Sequence, residues 1–177
     1  MTGDMTSAER QGRRHAPVLR SYLQHIEAAP SVVFPLICPV REGDWLEGWS
    51  ESCQMIWSAS GVAEPGCVFQ TIEPSRPATI WIITEHHPDR GAVAFARVTP
   101  GLVASTLRVK IDGRRDGTSA VSVHYAVVPT SPEGEAYAAV RYDQPELLDS
   151  VAWWERSMNH YLATGEMLRH VRPGGSP

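Results

Sequence analysis

Hydrophobic and polar positions keep two different periods along this chain. In "PVLRSYLQHIEA", apolar and polar residues alternate up to Ala28, which predicts a strand. "APSVVFPLICPV" follows as a short helix that Ser31 can cap, with Pro35 limiting it to a turn or two. "REGDWLEGW" predicts a second short helix, and Gly48 is placed to stop it. From Trp49 the period is two: Trp49, Glu51, Cys53, Met55 and Trp57 share one parity. "GCVFQTI", "ATIWIITEH", "AVAFARV", "LVASTLRVKI" and "TSAVSVHYAVV" read as further strands. They are separated by the turn-forming stretches "SGVAEPG", "HPDRG", "TPG" and "DGRRDG". Connections this short join antiparallel neighbours. From Pro145 the period changes again. Leu147, Leu148, Val151, Trp154, Met158, Tyr161, Leu162 and Leu168 recur in steps of mostly three and four, one face of a helix of about six turns. "SPEGEAYAAVRY" before it is either an extra helix or an ordered loop.

The order is therefore strand, two short helices, six strands, long C-terminal helix: an α+β protein with about seven antiparallel strands. Such a sheet cannot leave one apolar face in water, and the amphipathic final helix is its natural cover. A sheet curling around that helix without closing tightly on it leaves a pocket. Residues 1–16 are polar and charged and are expected to be a disordered lead-in. Residues 17–170 form one domain, and residues 171–177 ("RPGGSP" and its neighbour) are expected to fray.

Composition narrows the function classes. A length of 177 residues suits one domain with a substantial core. The net charge of −4, from 20 acids against 16 bases, argues against nucleic acid as a partner. No apolar run approaches the roughly 20 residues of a membrane helix, so no stable membrane insertion is expected. The first residues lack the apolar stretch of a signal peptide. The three cysteines, Cys38, Cys53 and Cys67, are odd in number and lack CxxC spacing, which fits a reducing cytoplasm.

Several stretches resemble a known family. "IEAAPSVVFPLICPV" resembles the strand end and "A-P-x-x-V-F" helix entry of the START/SRPBCC helix-grip superfamily, which includes the birch-pollen allergen and polyketide cyclase/dehydrase-like proteins. "WLEGW" and "SGVAEPGCVFQT" resemble a bacterial branch of it. The resemblance spans roughly residues 17–170. It implies a helix-grip fold: a curved seven-stranded antiparallel sheet wrapped around a long C-terminal helix, with two short helices between strands 1 and 2. It also implies a deep, mostly apolar cavity between sheet and helix, with the short helices at its mouth. Trp45 would turn inward there as a plug, or be simple core. Arg41, Glu42, Asp44 and Glu47 would form the solvated side. The superfold hosts carriers, enzymes and co-chaperones, so fold alone does not assign activity.

Parity and helix face nominate a cavity lining of Trp45, Met55, Trp57, Phe69, Trp81, Phe95, Leu107, Tyr125, Trp154 and Met158. Arg97 shares the parity of Val93 and Phe95. If that face is internal, Arg97 orients a polar or acidic group on a ligand, with Glu85 as a candidate ion-pair partner. If the small face of Ala92, Ala94 and Ala96 is internal, Arg97 is solvated. A three-residue turn would set Trp81 opposite Arg97, and a four-residue turn would set it opposite Val98. His86 and His87 are adjacent on a strand and point to opposite faces, so they cannot easily share a metal ion. His124 is expected on the outside and His160 at a boundary, and the cysteines as buried, inert thiols. The chain has no G-x-S-x-G, P-loop, G-x-G-x-x-G or HExxH motif. No catalytic residue and no cofactor are nominated.

These residues support a cytoplasmic protein binding a small hydrophobic or amphipathic ligand. One alternative is a polyketide cyclase/aromatase-like enzyme using the same cavity, with Arg97, Glu85 and Tyr125 as its polar groups. The other is a co-chaperone-like or toxin-antitoxin-like interaction module, with a poorly formed cavity and an exposed apolar patch. A homodimer through an edge strand is compatible with all three.

Overall fold

A computed structural model describes residues 16–74 and 76–170; the two terminal segments expected to be unstructured lie largely outside the described residues. Strand β1 is Val18–Ile26. The chain then enters a one-turn helix, α1 (Pro30–Val33), which tightens into a 3-10 turn at Phe34–Leu36. A second 3-10 turn covers Arg41–Asp44, and a one-turn helix, α2, covers Trp49–Ser52. Six strands follow: β2 (Cys53–Trp57), β3 (Val68–Thr71), β4 (Thr79–His87), β5 (Ala92–Thr99), β6 (Val103–Gly113) and β7 (Ser119–Pro129). Two helices close the chain, α3 (Pro132–Arg141) and α4 (Gln144–Thr164).

The seven strands form one antiparallel sheet in the order β1-β7-β6-β5-β4-β3-β2. The two short helices carry the chain from one sheet edge to the other, so the strand crossing is made once and every later strand joins its sheet neighbour. The sheet wraps around α4, and the helix-grip architecture expected from the pattern is the one observed.

Local differences have local causes. Ser31 does not cap α1; Ala29 holds the cap position and Pro30 begins the helix, where its missing N–H is no loss. Trp49 does not begin a strand but the single turn of α2, after Gly48 at φ 82°. "SPEGEAYAAVRY" is largely helix α3, with Pro132 in its first turn and the Ser131 hydroxyl accepting from the Gly134 N–H at 2.9 Å. Helix α4 stops at Thr164 before Gly165 at φ 75°, so Leu168 lies beyond it.

Two bulges alter the parity of the sheet. Met55 pairs with Phe69 but Trp57 pairs with Val68, leaving Ile56 as the extra residue. Ile83 pairs with Phe95 but Glu85 pairs with Ala94, leaving Thr84 as the extra residue. Each bulge moves the following side chain to the opposite face.

The main core lies between the inner sheet face, the short helices and the second half of α4. It includes Ile26, Val33, Ile37, Trp45, Phe69, Ile83, Phe95, Val109, Val121 and Met158. A smaller cluster of Val103, Val127, Ala138, Tyr142, Leu147 and Val151 seats α3 and the start of α4 on β6 and β7. Between the two clusters the helix and sheet stand apart. Across the outer face, the register aligns Ile82, Ala96, Thr106, Ala126 and Leu19 in one row.

Gly134 is the tightest point of the second cluster. A Cβ there would stand 1.9 Å from the Leu102 carbonyl oxygen, a main-chain atom that cannot rotate away. A Gly134→Ala variant is therefore expected to lose about 1–3 kcal/mol of stability as α3 is pushed off the β5–β6 turn. Urea unfolding measures this, and an unchanged midpoint would show that α3 is free to move.

Candidate functional site

The inner sheet face presents rows of side chains set by cross-strand register. One row runs Phe69, Trp81, Arg97, Ser105. The next runs Ile83, Phe95, Leu107, Tyr125. These rows face α4 across a cavity of about 990 Å³, at the upper end of the range for small-molecule sites. Trp153 and Trp154 of α4, Tyr142 beyond α3, and the β3–β4 connection around Pro74 and Arg76 complete the wall.

Of the residues nominated from sequence, Phe69, Trp81, Phe95, Arg97, Leu107, Tyr125 and Trp154 stand on this wall. Four do not. Trp45 and Met158 are fully buried core. The Trp45 indole donates to the Leu36 carbonyl at 3.1 Å and its ring centroid lies 5.5 Å from that of Trp154, so it backs the wall without forming it. Met55 stays on the inner parity at the edge strand, 39% exposed, with its sulfur 3.5 Å from the Cys67 thiol. Trp57, 54% exposed, is turned to the outer parity by the bulge at Ile56.

Trp81 is the centre of the aromatic wall. Its indole N–H donates to the Thr71 hydroxyl at 3.0 Å, which fixes the ring plane. Phe69 stacks on it from the β3 side, centroids 5.3 Å apart, and Trp49 meets it edge-on at 6.4 Å. From the β5 side the Arg97 guanidinium carbon lies 3.9 Å from the ring centroid, a close cation–π contact. Trp81 thus pairs with Arg97 in the register of the three-residue turn. Arg97 also lies 5.7 Å from the Tyr125 ring.

Glu85 is not the partner of Arg97. The Thr84 bulge turns it to the outer face, where it pairs with Arg108 at 3.1 Å. The Arg97 Nε is buried and makes no hydrogen bond. Gln24 on β1 also reaches the cavity; its amide donates to the Val151 carbonyl at 2.8 Å while its Oε1 is buried and unpaired.

Glu42, expected on the solvated side, is buried and faces the cavity. Burial pushes its carboxyl up to about 8, so it is largely neutral near pH 7. Its position is set by its backbone: the Glu42 N–H donates to the Cys38 carbonyl, and the Glu42 carbonyl accepts from Trp45 and Leu46. No repeat marks this side in the sequence: the turn spans only Arg41–Asp44, with Trp45 just past its end. Burial also raises the Tyr125 phenol, opposed by the charge of Arg97. Arg41 and Asp44 do lie outside and pair with one another at 2.6 Å.

Ion pairs cross the rim. Arg76 on the β3–β4 connection reaches Glu146 of α4 at 3.2 Å, and Glu146 also meets Arg141 at 3.5 Å. Beyond α4, the His170 Nδ1 and backbone N–H both lie 2.7 Å from the Glu47 carboxylate, holding it below the usual carboxylate range. The His170 ring stacks on Trp153 at 3.6 Å. Sequence reasoning missed this pairing, because 123 residues separate the partners and neither belongs to a periodic pattern.

The remaining candidates lie elsewhere. His86 packs on Phe34 at 5.0 Å, and burial lowers its basicity. His124 is exposed, 2.8 Å from the Ser21 hydroxyl. Among the described residues no three His, Cys, Asp or Glu side chains gather as metal ligands. Cys38, Cys53 and Cys67 are free thiols; burial pushes Cys53 up to about 12 and also raises Cys67.

An open antiparallel sheet gripping a long C-terminal helix, with a cavity between them, defines the helix-grip class. The chain has this helix-grip fold. Norcoclaurine synthase from Thalictrum flavum, in complex with dopamine and hydroxybenzaldehyde, superposes with a TM-score of 0.63 at 8% identity over 92% of this chain and 95% of that one. Major latex-like protein 151 from Panax ginseng gives 0.59 at 12% identity over 82% and 97%. A protein from Rhizobium leguminosarum gives 0.59 at 14% over 84% and 95%. No protein-family model matches the sequence, and no curated protein matches it. Among the described residues no helix is long and apolar enough to cross a membrane.

Proposed function

We propose that the protein binds a small hydrophobic or amphipathic ligand in the cavity between sheet and α4, as a cytoplasmic carrier or receptor. The observation that carries this is the cavity itself: about 990 Å³ between two well-packed clusters, walled by Phe69, Trp81, Phe95, Leu107, Tyr125 and Trp154. Burying a ligand's apolar surface there contributes about 25 cal/mol per Å² before the costs of association. Norcoclaurine synthase, of the same fold, holds small aromatic molecules, which agrees with a ligand of this kind. Three free thiols agree with a reducing compartment. An interaction module was expected to lack a formed cavity, so the volume weighs against that alternative.

Native mass spectrometry of the purified protein, then of its organic extract, tests the reading. A lipophilic compound at one per chain is the expected result. An apo mass, together with no uptake of an apolar probe such as N-phenyl-1-naphthylamine, would remove it.

A second reading, a cyclase/aromatase-like enzyme, is favoured by one observation. Glu42 is a neutral acid at the cavity wall, in the same electrostatic environment as the Tyr125 phenol, and could donate a proton there. It requires that the extracted compound, returned to the protein, be converted to a product; a compound recovered unchanged leaves binding as the function.

A further inference from the structure

We propose that the cavity takes a small aromatic acid, its ring system against Trp49, Tyr125 and Trp154 and its anionic group on the Arg97 guanidinium. This rests on the ligand-binding reading above and names its ligand class.

A guanidinium keeps its charge. Arg97 is half-buried on the cavity wall, and no acid there balances it. Its Nε is buried without a partner, and no ion pair joins it to any described residue. The other acids on the wall do not pair with it. Glu47 is held by His170, Glu73 by Arg76, and Glu146 by Arg76 and Arg141, while Glu51 of α2 is exposed and forms no ion pair with Arg97. Glu42 is protonated near pH 7 because it is buried. The Trp81 face at 3.9 Å steadies the cation without neutralising it. The arrangement is consequently a positioned cation, held over an indole that Thr71 and Phe69 keep in place. Planar donors of this kind accept a carboxylate or sulfonate through paired hydrogen bonds. The aromatic half of the proposal follows from the neighbours. Behind the wall, Phe69 and Phe95 pack on Trp81; in front of them the partly exposed rings of Trp49, Tyr125 and Trp154 line the cavity, which suits a ring better than a flexible chain.

Two probes with the same anilinonaphthalene body separate the terms: 1-anilinonaphthalene-8-sulfonate carries an anion, and N-phenyl-1-naphthylamine does not. Titration calorimetry at fixed ionic strength is expected to give one site per chain for each. The sulfonate should bind about tenfold more tightly. Arg97→Met should remove that preference and leave the neutral probe within about twofold of the wild type. Arg97→Lys should restore part of it, and near-UV circular dichroism checks that each variant keeps its packing. If the wild type binds both probes equally, or Arg97→Met weakens both alike, the anion site is refuted while the ligand-binding reading stands. If the wild type takes up neither probe, both fall. Should Arg97→Met not fold, the wild-type preference and the Arg97→Lys variant still decide. In competition, 2-naphthoate should displace the sulfonate at a lower concentration than decanoate; the reverse order would overturn the aromatic assignment.

Discussion

A Trp45→Ala variant is expected to unfold with a free energy about 3–5 kcal/mol below that of the wild type. Trp45 is 0% exposed, and it links the 3-10 turn at Arg41–Asp44 to α4 through its contact with Trp154. Truncation would remove a large buried ring and leave the Leu36 carbonyl without its indole donor. Neither loss can be recovered by collapse, because the cavity already separates helix and sheet on one side. In urea unfolding the midpoint should fall with little change in slope. A chain of this size should also melt roughly 10 °C lower. A loss under about 1 kcal/mol would mean that the short helices are not what anchors α4.

Glu42 makes the stability of the wild type fall as pH rises, opposite to the usual behaviour of a carboxylate. Its folded-state value, about 8, lies above its ordinary value of 4.5. Between those values the folded chain holds a proton that the unfolded chain has released, and the derivative of stability with pH is then negative. The contribution is fully present below about pH 4.5 and is lost as pH climbs through 8. The total is on the order of 5 kcal/mol. Glu42→Gln, neutral at every pH, should match the wild type near pH 5 and exceed it by several kcal/mol near pH 9. Urea unfolding from pH 5 to pH 9 on both proteins measures the difference. Parallel curves would show that the carboxyl reaches water in the folded protein.

Glu42 also shows where periodicity stops being informative. Strands and the long helix repeat over many residues, so their inward faces could be read by counting. That is why strand parity turns Phe69, Trp81, Phe95, Leu107 and Tyr125 inward and helix face turns Trp154 inward, and the structure has all six beside the cavity. The segment 38–52 holds two 3-10 or one-turn elements and no repeat long enough to define a face. Its acids read as solvated because most acids are.

Element type, strand number and the antiparallel topology were legible from the chain because each follows from local chemistry. Alternation, turn residues and a period near 3.6 act within a few residues of one another. Three features needed the assembled molecule. The bulges at Ile56 and Thr84 exist only in relation to a paired strand, and they decide that Trp57 leaves the inner face and that Glu85 meets Arg108 and not Arg97. The division of inward side chains between core and cavity depends on how far α4 stands off the sheet; it places Trp45 and Met158 in the core and Trp154 on the wall. The contacts of Glu47 with His170 and Arg76 with Glu146 join residues 123 and 70 positions apart. Short-range forces shape each element, but facing side chains meet only when the whole sheet has closed on its helix.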